Sequence, residues 1–309
     1  MNLPGEVALV TGAAGLVGSR VVRRLSAEGV KVRAMARRPI DLGDAVTICL
    51  GDVRDAAAVA EAVRGASLIV HCAAVLRSAT RDEAMAVNLA GTRLVLEAAL
   101  AGGCRRVIHI STISVHDLEG RDVVDESTPL VGHSDAYAEG KAAAERAVWA
   151  AAERGLEVTV LRPPAILGAH PTCYWTVRWP QQMAAGTFSL HGDGRYSLPY
   201  VHVDNLAQAV VLAARSERAV GQAYNVIDGQ TTWRELTDRY LGWLGLQGVP
   251  SSSPEAVPPG YRWRGRWSGE KIRQHLGYAP CVTFDEAMVE AKRYLVETGT
   301  LAGSNAPPA

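Results

Sequence analysis

An α/β fold, with a doubly wound parallel sheet and a smaller C-terminal region, is predicted by three features of the sequence. A short apolar run, a glycine turn and a helical pattern follow one another in VALVTGAAGLVG, residues 7–18. Strand and helix patterns then alternate as far as Leu161 without a hairpin signal. From Pro163 that rhythm breaks, and prolines and aromatic residues thicken.

The first strand is expected over residues 7–10, and Leu16, Val17, Val21, Val22 and Leu25 recur at helical spacing up to Gly29. Gly12, Gly15 and Gly18 stand three apart between them. The first suits a backbone turn, the second lets a phosphate approach, and the third lets helix pack on strand. Unpaired amides and the helix dipole would then face a pyrophosphate, so the stretch reads as a dinucleotide site. Further strands are expected at 30–36, 47–50, 68–71, 106–110 and 157–161. Helical patterns at 56–63 after Asp55, a good cap, at 83–101 before Gly102-Gly103, and at 136–154 separate them. Ligands of such a sheet bind at the carboxyl ends of its strands.

Residues 1–163 therefore form the predicted nucleotide-binding domain, with 200–228 returning to it and 164–301 as a substrate-binding region. Within the latter, VHV at 201–203 reads as a strand, 204–214 as a helix, and 251–260, SSSPEAVPPG, as an irregular loop. Short helices are expected at 268–276 and 283–298, and 302–309 reads as a frayed tail.

Length and composition narrow the function classes. The 309 residues, 48% hydrophobic, are enough for a large core. Thirty-two basic residues balance 32 acidic ones, so no global field draws the chain to nucleic acid or an anionic membrane. Cys49, Cys72, Cys104, Cys173 and Cys281 are odd in number and lack paired spacing, which predicts reduced thiols, no metal site and a cytoplasmic location. No apolar run approaches ~18 residues, and no signal peptide is read.

Tyr137 and Lys141 are four apart in DAYAEGKAAAE, so a helix sets both side chains on one face. An ammonium beside a phenol favours the phenolate, which makes tyrosine usable as an acid or base near neutrality. Ser111-Thr112 stands at the end of the fifth strand, where a hydroxyl can donate to an oxygen on which charge develops. Glycine loop, acid/base pair and oxygen-binding hydroxyl together are the parts of a hydride-transfer site. His71, in an apolar strand, reads as a satisfied core residue.

The set TGAAGLVG, GDVRD, HCAA, Asn88 in VNLAGT, STISV, YAEGK, LRPP and YVHVDN resembles the extended short-chain dehydrogenases/reductases, the NAD-dependent epimerase/dehydratase group. The resemblance runs over roughly residues 5–298 with its motifs in order, and it implies the Rossmann fold. It makes Tyr137 the acid/base, Lys141 the ribose anchor that tunes it, and Thr112 the hydroxyl on the substrate oxygen. For the cofactor it implies Gly12, Gly15, Leu16, Val17 and Gly18 at the phosphates, Asp52 and Val53 at the adenine, Ala73 and Ala74 at the ribose side, and Pro163 and Ile166 at the nicotinamide. Asn88 fits the pattern too, although a buried helix-capping asparagine accounts for it equally well. Relatives often dimerise through the helices that here start near Glu83 and Ala136, which implies a homodimer.

The departures from the pattern carry information. His116-Asp117 replaces a Tyr-Gly of many relatives and inherits no role. Ile113 and Ser114 follow Thr112 where sugar dehydratases carry acids. The second strand ends Met35-Ala36-Arg37-Arg38 without the acid of NAD-preferring relatives, so Arg37 is expected to bind a 2′-phosphate, with NADP(H) preferred and NAD(H) possible. Leu198-Pro199 stands where nucleotide-sugar enzymes carry an Arg-Asp pair, Arg195 lies three residues earlier, and Ala165 replaces an asparagine. Tyr174, Trp175, Trp179, Met183, Tyr261, Trp263 and Trp267 either build the small region's core or line an apolar pocket. The expected activity is NADP-dependent oxidoreduction of a largely apolar carbonyl or alcohol. A nucleotide-sugar epimerase and a non-catalytic cofactor-binding regulator are the alternatives.

Overall fold

The structure, a computed structural model, describes residues 3–76, 79–131, 135–257 and 261–302. Its N-terminal half alternates β1 (Val7–Thr11), α1 (Leu16–Ala27), β2 (Lys31–Ala36), β3 (Thr47–Leu50), α2 (Ala56–Val63) and β4 (Leu68–His71). There follow α3 (Arg81–Ala84), a π-helical stretch Met85–Gly91, α4 (Thr92–Ala101), β5 (Arg106–Ile110), β6 (Val123–Val124), α5 (Ala136–Glu153) and β7 (Glu157–Arg162). The C-terminal part contains β8 (Ala165–Leu167), α6 (Trp179–Ala184), β9 (Ser197–His202), α7 (Val203–Arg215), β10 (Gln222–Asn225) and β11 (Gly229–Thr232). It closes with α8 (Trp233–Leu244), β12 (Arg266–Trp267), α9 (Glu270–Leu276) and α10 (Phe284–Glu297).

The large sheet has seven strands in the order β10-β7-β5-β4-β1-β2-β3, every pair parallel. Its winding reverses between β1 and β4, which opens a crevice at their carboxyl ends. Register brings those ends into one row, with Thr11 opposite His71, His71 opposite His109, and Ile110 opposite Leu161. Side chains alternate between the two faces with period two. Ala8, Val10, Leu68, Val70 and Ile108 pack under α1 and α7, while Leu9, Ile69 and Val107 pack under α2, α4 and α5. Asp55 caps α2 by accepting from the amides of Ala57 (2.9 Å) and Ala58 (3.2 Å), the role its position predicts.

Elsewhere the chain departs from sequence expectation. The helix expected over 83–101 starts at Arg81 behind a Thr80 capping box and carries a π-turn in its middle. Arg81–Ala101 is long and apolar enough to cross a membrane by length and composition. Here it packs against α2 and α5. The strand expected at 201–203 runs instead from Ser197 to His202, and Val203 already opens α7. That strand pairs with β8 and β11 in a second sheet, so the return to the large sheet comes through α7 and β10. Segment 251–260 contains a short turn at Pro254–Ala256, residues 258–260 lying outside the described residues, as does the tail beyond 302. Helix α8 has a Thr232/Glu235 capping box and a left-handed Gly245 at its end, signals present in the sequence but not used.

The small region is tied to α1 by a polar clamp. Glu290 on α10 accepts from His202 Nε2 at 2.7 Å, from Arg20 Nη2 at 2.9 Å and from the Ala169 amide at 3.3 Å. His202 Nδ1 in turn accepts the Asp204 amide at 3.3 Å, so the neutral ring carries its proton on Nε2. The hydrogen bond from His202 and the charge of Arg20 hold the Glu290 carboxyl below its usual range. A depressed carboxylate stabilises the fold fully above its unfolded pKa, about 4.3, and loses that contribution as pH falls through the lower folded value. Glu290→Gln is therefore expected to lower the Tm at pH 7, and the gap to the parent should narrow as pH falls below about 4, a trend that thermal scans across the acid range measure.

Candidate active site

The glycine turn divides the labour as its spacing suggests. Gly12 sits at φ +67°, and a Cβ there would lie 2.8 Å from the Ala73 backbone. At Gly18 a Cβ would lie 2.3 Å from the Gly12 carbonyl oxygen, so only glycine lets α1 approach the turn. A Cβ on Gly15 meets only that oxygen, at 3.3 Å, and the backbone above it is open. Gly15 is also the N-cap of α1 and supplies no side-chain cap, leaving the first amides of the helix free for an anion. Leu16 and Val17, half-buried, begin that helix. This cradle fits a dinucleotide pyrophosphate.

The loop after β4, which holds Ala73 and Ala74, is fixed by a hydrogen-bond chain whose direction can be deduced. Thr92 Oγ1 must donate to the Asn88 carbonyl, 2.6 Å away, because a carbonyl only accepts. It therefore accepts from His71 Nε2 at 2.9 Å, and His71 Nδ1 accepts from Thr11 Oγ1 at 2.7 Å. Thr11 Oγ1 accepts the Ala73 amide at 3.2 Å. The Asn88 side chain closes the circuit by accepting from the Val75 amide (2.9 Å) and donating to the Val75 carbonyl (3.2 Å). Burial and the Lys141 charge pull the His71 pKa down to about 3, so the ring stays neutral and the tautomer stays fixed. His71 is thus the satisfied core histidine read from its strand, and Asn88 secures a loop rather than capping a helix.

After β3, Val53 is buried and Asp52 half-buried. Asp52 takes a two-pronged contact from Arg54 (3.0 and 2.8 Å) and feels the charge of Arg37, which together hold its carboxyl below the usual range. Arg37 follows β2 and is exposed. Pro163 is buried at the end of β7, where its carbonyl accepts from the Ile113 amide at 3.1 Å. Ile166 follows on β8, half-buried.

Tyr137 and Lys141 lie on α5, whose N-terminus is capped by Asp135 accepting from the Ala138 amide at 2.8 Å. Tyr137 is half-buried and Lys141 only 2% exposed. Lys141 Nζ donates to the Ile110 carbonyl at 2.5 Å, which ties the helix to the end of β5. Burial brings its pKa down to about 8, opposed by the carboxylate of Glu145, so the ammonium persists at neutral pH. Thr112, two residues beyond that carbonyl, is 6% exposed, and its hydroxyl lies 3.2 Å from both the amide and the hydroxyl of Ser114. Lys141 and Thr112 therefore stand at one strand end, with Tyr137 one helical turn before Lys141. Ser111 turns the other way and donates to Glu145 at 2.8 Å.

Sequence reasoning missed Glu145, although it extends the spacing of Tyr137 and Lys141 by one more step of four. It forms a buried pair with Arg162, itself in contact with His116 (3.4 Å). His116 also meets the Thr128 carbonyl (3.1 Å) and Asn225 (3.0 Å), a supporting position behind Thr112. Burial, then the Arg162 charge, lowers its pKa.

Of the aromatic residues that the sequence singles out in the small region two, Trp179 and Trp267, are buried in the core. Trp179 is 0% exposed and packs against Phe188 and Trp233 with centroids 5.1 Å away, while Met183 is buried in the same cluster. Trp267 closes a smaller cluster with Ile113. Tyr174 is exposed, and Trp175, Tyr261 and Trp263 are half-buried against these clusters. Leu198 is buried among the core residues, and Arg195 is exposed.

A seven-stranded parallel sheet with this glycine cradle and a Tyr-Lys helix defines an oxidoreductase of the extended short-chain dehydrogenase/reductase class. The profile of the NAD dependent epimerase/dehydratase family matches residues 8–226, and the chain belongs to that family. Sterol demethylase protein B of Methylococcus capsulatus is 38% identical over 266 residues, 81% of this chain and 77% of that protein. A 3-beta-hydroxysteroid dehydrogenase of Mycolicibacterium neoaurum is 29% identical over 97% of this chain and 94% of its own. Among solved structures, the dTDP-glucose 4,6-dehydratase DesIV of Streptomyces venezuelae, with NAD and TYD bound, superposes with a TM-score of 0.84. It is 28% identical and covers 94% of this chain and 97% of its own.

Proposed function

We propose that the protein is an NADP(H)-dependent dehydrogenase or reductase that interconverts a ketone and a secondary alcohol on a bulky, largely apolar, steroid-like molecule. The observation that carries this reading is that Lys141 reaches the end of β5 two residues before Thr112, with Tyr137 one turn before Lys141 on α5, in the same row of strand ends as the glycine turn after β1. The bound dinucleotide supplies or accepts the hydride. Thr112 holds the substrate oxygen by its hydroxyl, and Tyr137 gives that oxygen its proton or removes it. Lys141 anchors the ribose and favours the phenolate.

The substrate class rests on what the site lacks. Leu198, apolar and buried, leaves a diphosphate without its bidentate arginine, and Arg264 nearby is engaged by Asp193 at 2.9 Å. Similarity to a sterol demethylase protein and to a 3-beta-hydroxysteroid dehydrogenase supports a polycyclic apolar substrate. Similarity to DesIV supports a second reading, a nucleotide-sugar enzyme. Against its dehydratase form, Thr112 is followed by Ile113 and Ser114 rather than by acids.

Arg37 supports the cofactor preference, since it stands at the end of β2 where an acid would repel a 2′-phosphate. We further take the protein to be a cytoplasmic homodimer built on α4 and α5, with no nucleic-acid or membrane partner, a state that light scattering of the purified protein tests. The functional test is absorbance at 340 nm with NADPH and NADH against 3-ketosteroids, other ketones and nucleotide sugars. Steroid turnover with NADPH is expected, and Arg37→Ala should weaken NADPH far more than NADH. Micromolar calorimetric binding of a UDP- or dTDP-sugar, or a parent enzyme that prefers NADH, would overturn the respective half of the proposal. Absence of any turnover across the panel favours a non-catalytic regulator.

A further inference from the structure

We propose that His109, inside β5, is a positioning residue that aims the Lys141 ammonium at the cofactor ribose. The inference rests on the reading of Lys141 as ribose anchor. His109 Nε2 lies 3.4 Å from Lys141 Nζ, and both side chains are buried. A neutral imidazole facing an ammonium must present a lone pair, because the other tautomer sets N–H against N–H. The proton therefore sits on Nδ1.

That tautomer is otherwise unfavourable here. Nδ1 of His109 is buried with no hydrogen-bond partner among the described residues, and an unmet buried donor carries a desolvation penalty. The contact with Lys141 is what the ring gains in exchange. Strand β5 then holds two of the three N–H groups of Lys141, one on the Ile110 carbonyl and one on His109, which leaves the third for a ribose hydroxyl. The other titratable groups around the ammonium are Tyr137 and Glu145 on α5 and Cys72 after β4. Behind His109 lies the His71 ring, 5.5 Å away by centroids and neutral, so no second cation competes.

Removing the acceptor favours the neutral amine and should move its titration to lower pH. Cofactor affinity, read by NADPH fluorescence from pH 6 to 9, should fall with a midpoint roughly one pH unit lower in His109→Phe than in the parent. At pH 6, where both carry the ammonium, the Phe variant should show only the small loss due to the freed side chain, and the Gln variant should recover it. His109→Gln, which keeps an acceptor, should restore most of the shift. An unchanged midpoint in the Phe variant, or an equal loss at every pH in the Phe and Gln variants, would overturn the proposal. Nitrogen chemical shifts of the parent's imidazoles test it without any substitution: His109 protonated on Nδ1 supports it, and protonation on Nε2 overturns it. Lys141→Met separates the two readings. If that variant binds NADPH like the parent, the anchor role fails and His109 with it; if it binds weakly while His109→Phe keeps the parent's profile, the His109 proposal fails alone.

Discussion

Tyr137→Phe is expected to reduce turnover at least ~100-fold, the lower end of what a positioned acid/base contributes, with cofactor affinity nearly unchanged. Phenylalanine keeps the ring in place on α5 and removes only the proton carrier. Lys141→Met should damage both turnover and cofactor binding if the ammonium holds the two proposed roles. The pH dependence follows from the same geometry. Burial sets the Lys141 pKa near 8, so the ammonium, and with it cofactor affinity, should fade as pH rises through that value. Single-turnover rates with saturating cofactor isolate the chemical step. Near-parental rates in the Phe variant would remove Tyr137 from the mechanism.

Arg162→Met is expected to lower folding stability by about 3 to 5 kcal/mol, the usual result of stranding one member of a buried ion pair. Arg162 and Glu145 have side chains 4% and 0% exposed, and the guanidinium Nε reaches both carboxylate oxygens at 3.1 and 3.2 Å. Without it, Glu145 keeps, among the described residues, only Ser111 (2.8 Å) and Trp149 (3.3 Å) as donors. The double variant Arg162→Met/Glu145→Gln should recover much of the loss, since no full charge is then left unpaired. Urea denaturation measures both. A loss under about 1 kcal/mol in the single variant would show that water reaches the carboxylate.

Periodicity and glycine spacing made the large sheet legible because its strands are buried on both faces and its helices carry one apolar stripe. Strands β3, β4 and β5 and helix α2 fall where the sequence predicts them. Strand β10 escaped because QAYN carries no apolar run, and it is a strand only because β7 offers an edge to pair with. The π-turn at Met85–Gly91 escaped because no local pattern marks it; there Gly91 packs on Val53, where a Cβ would lie 2.8 Å from the side chain, and Asn88 reaches Val75.

Local chemistry alone therefore determined the glycine cradle, the α5 pair of Tyr137 and Lys141, and the strand-end hydroxyl of Thr112. Each needs only a turn, a helix or a strand terminus to be recognised. The fate of the aromatic residues and the setting of Lys141 were decided by tertiary structure. Trp179 became core because α8 and Phe188 close over it, and the Lys141 ammonium gained its environment from residues 31 and 32 positions away in sequence. Such contacts arise when parallel strands come into register, and no local pattern encodes which buried side chains will then face one another.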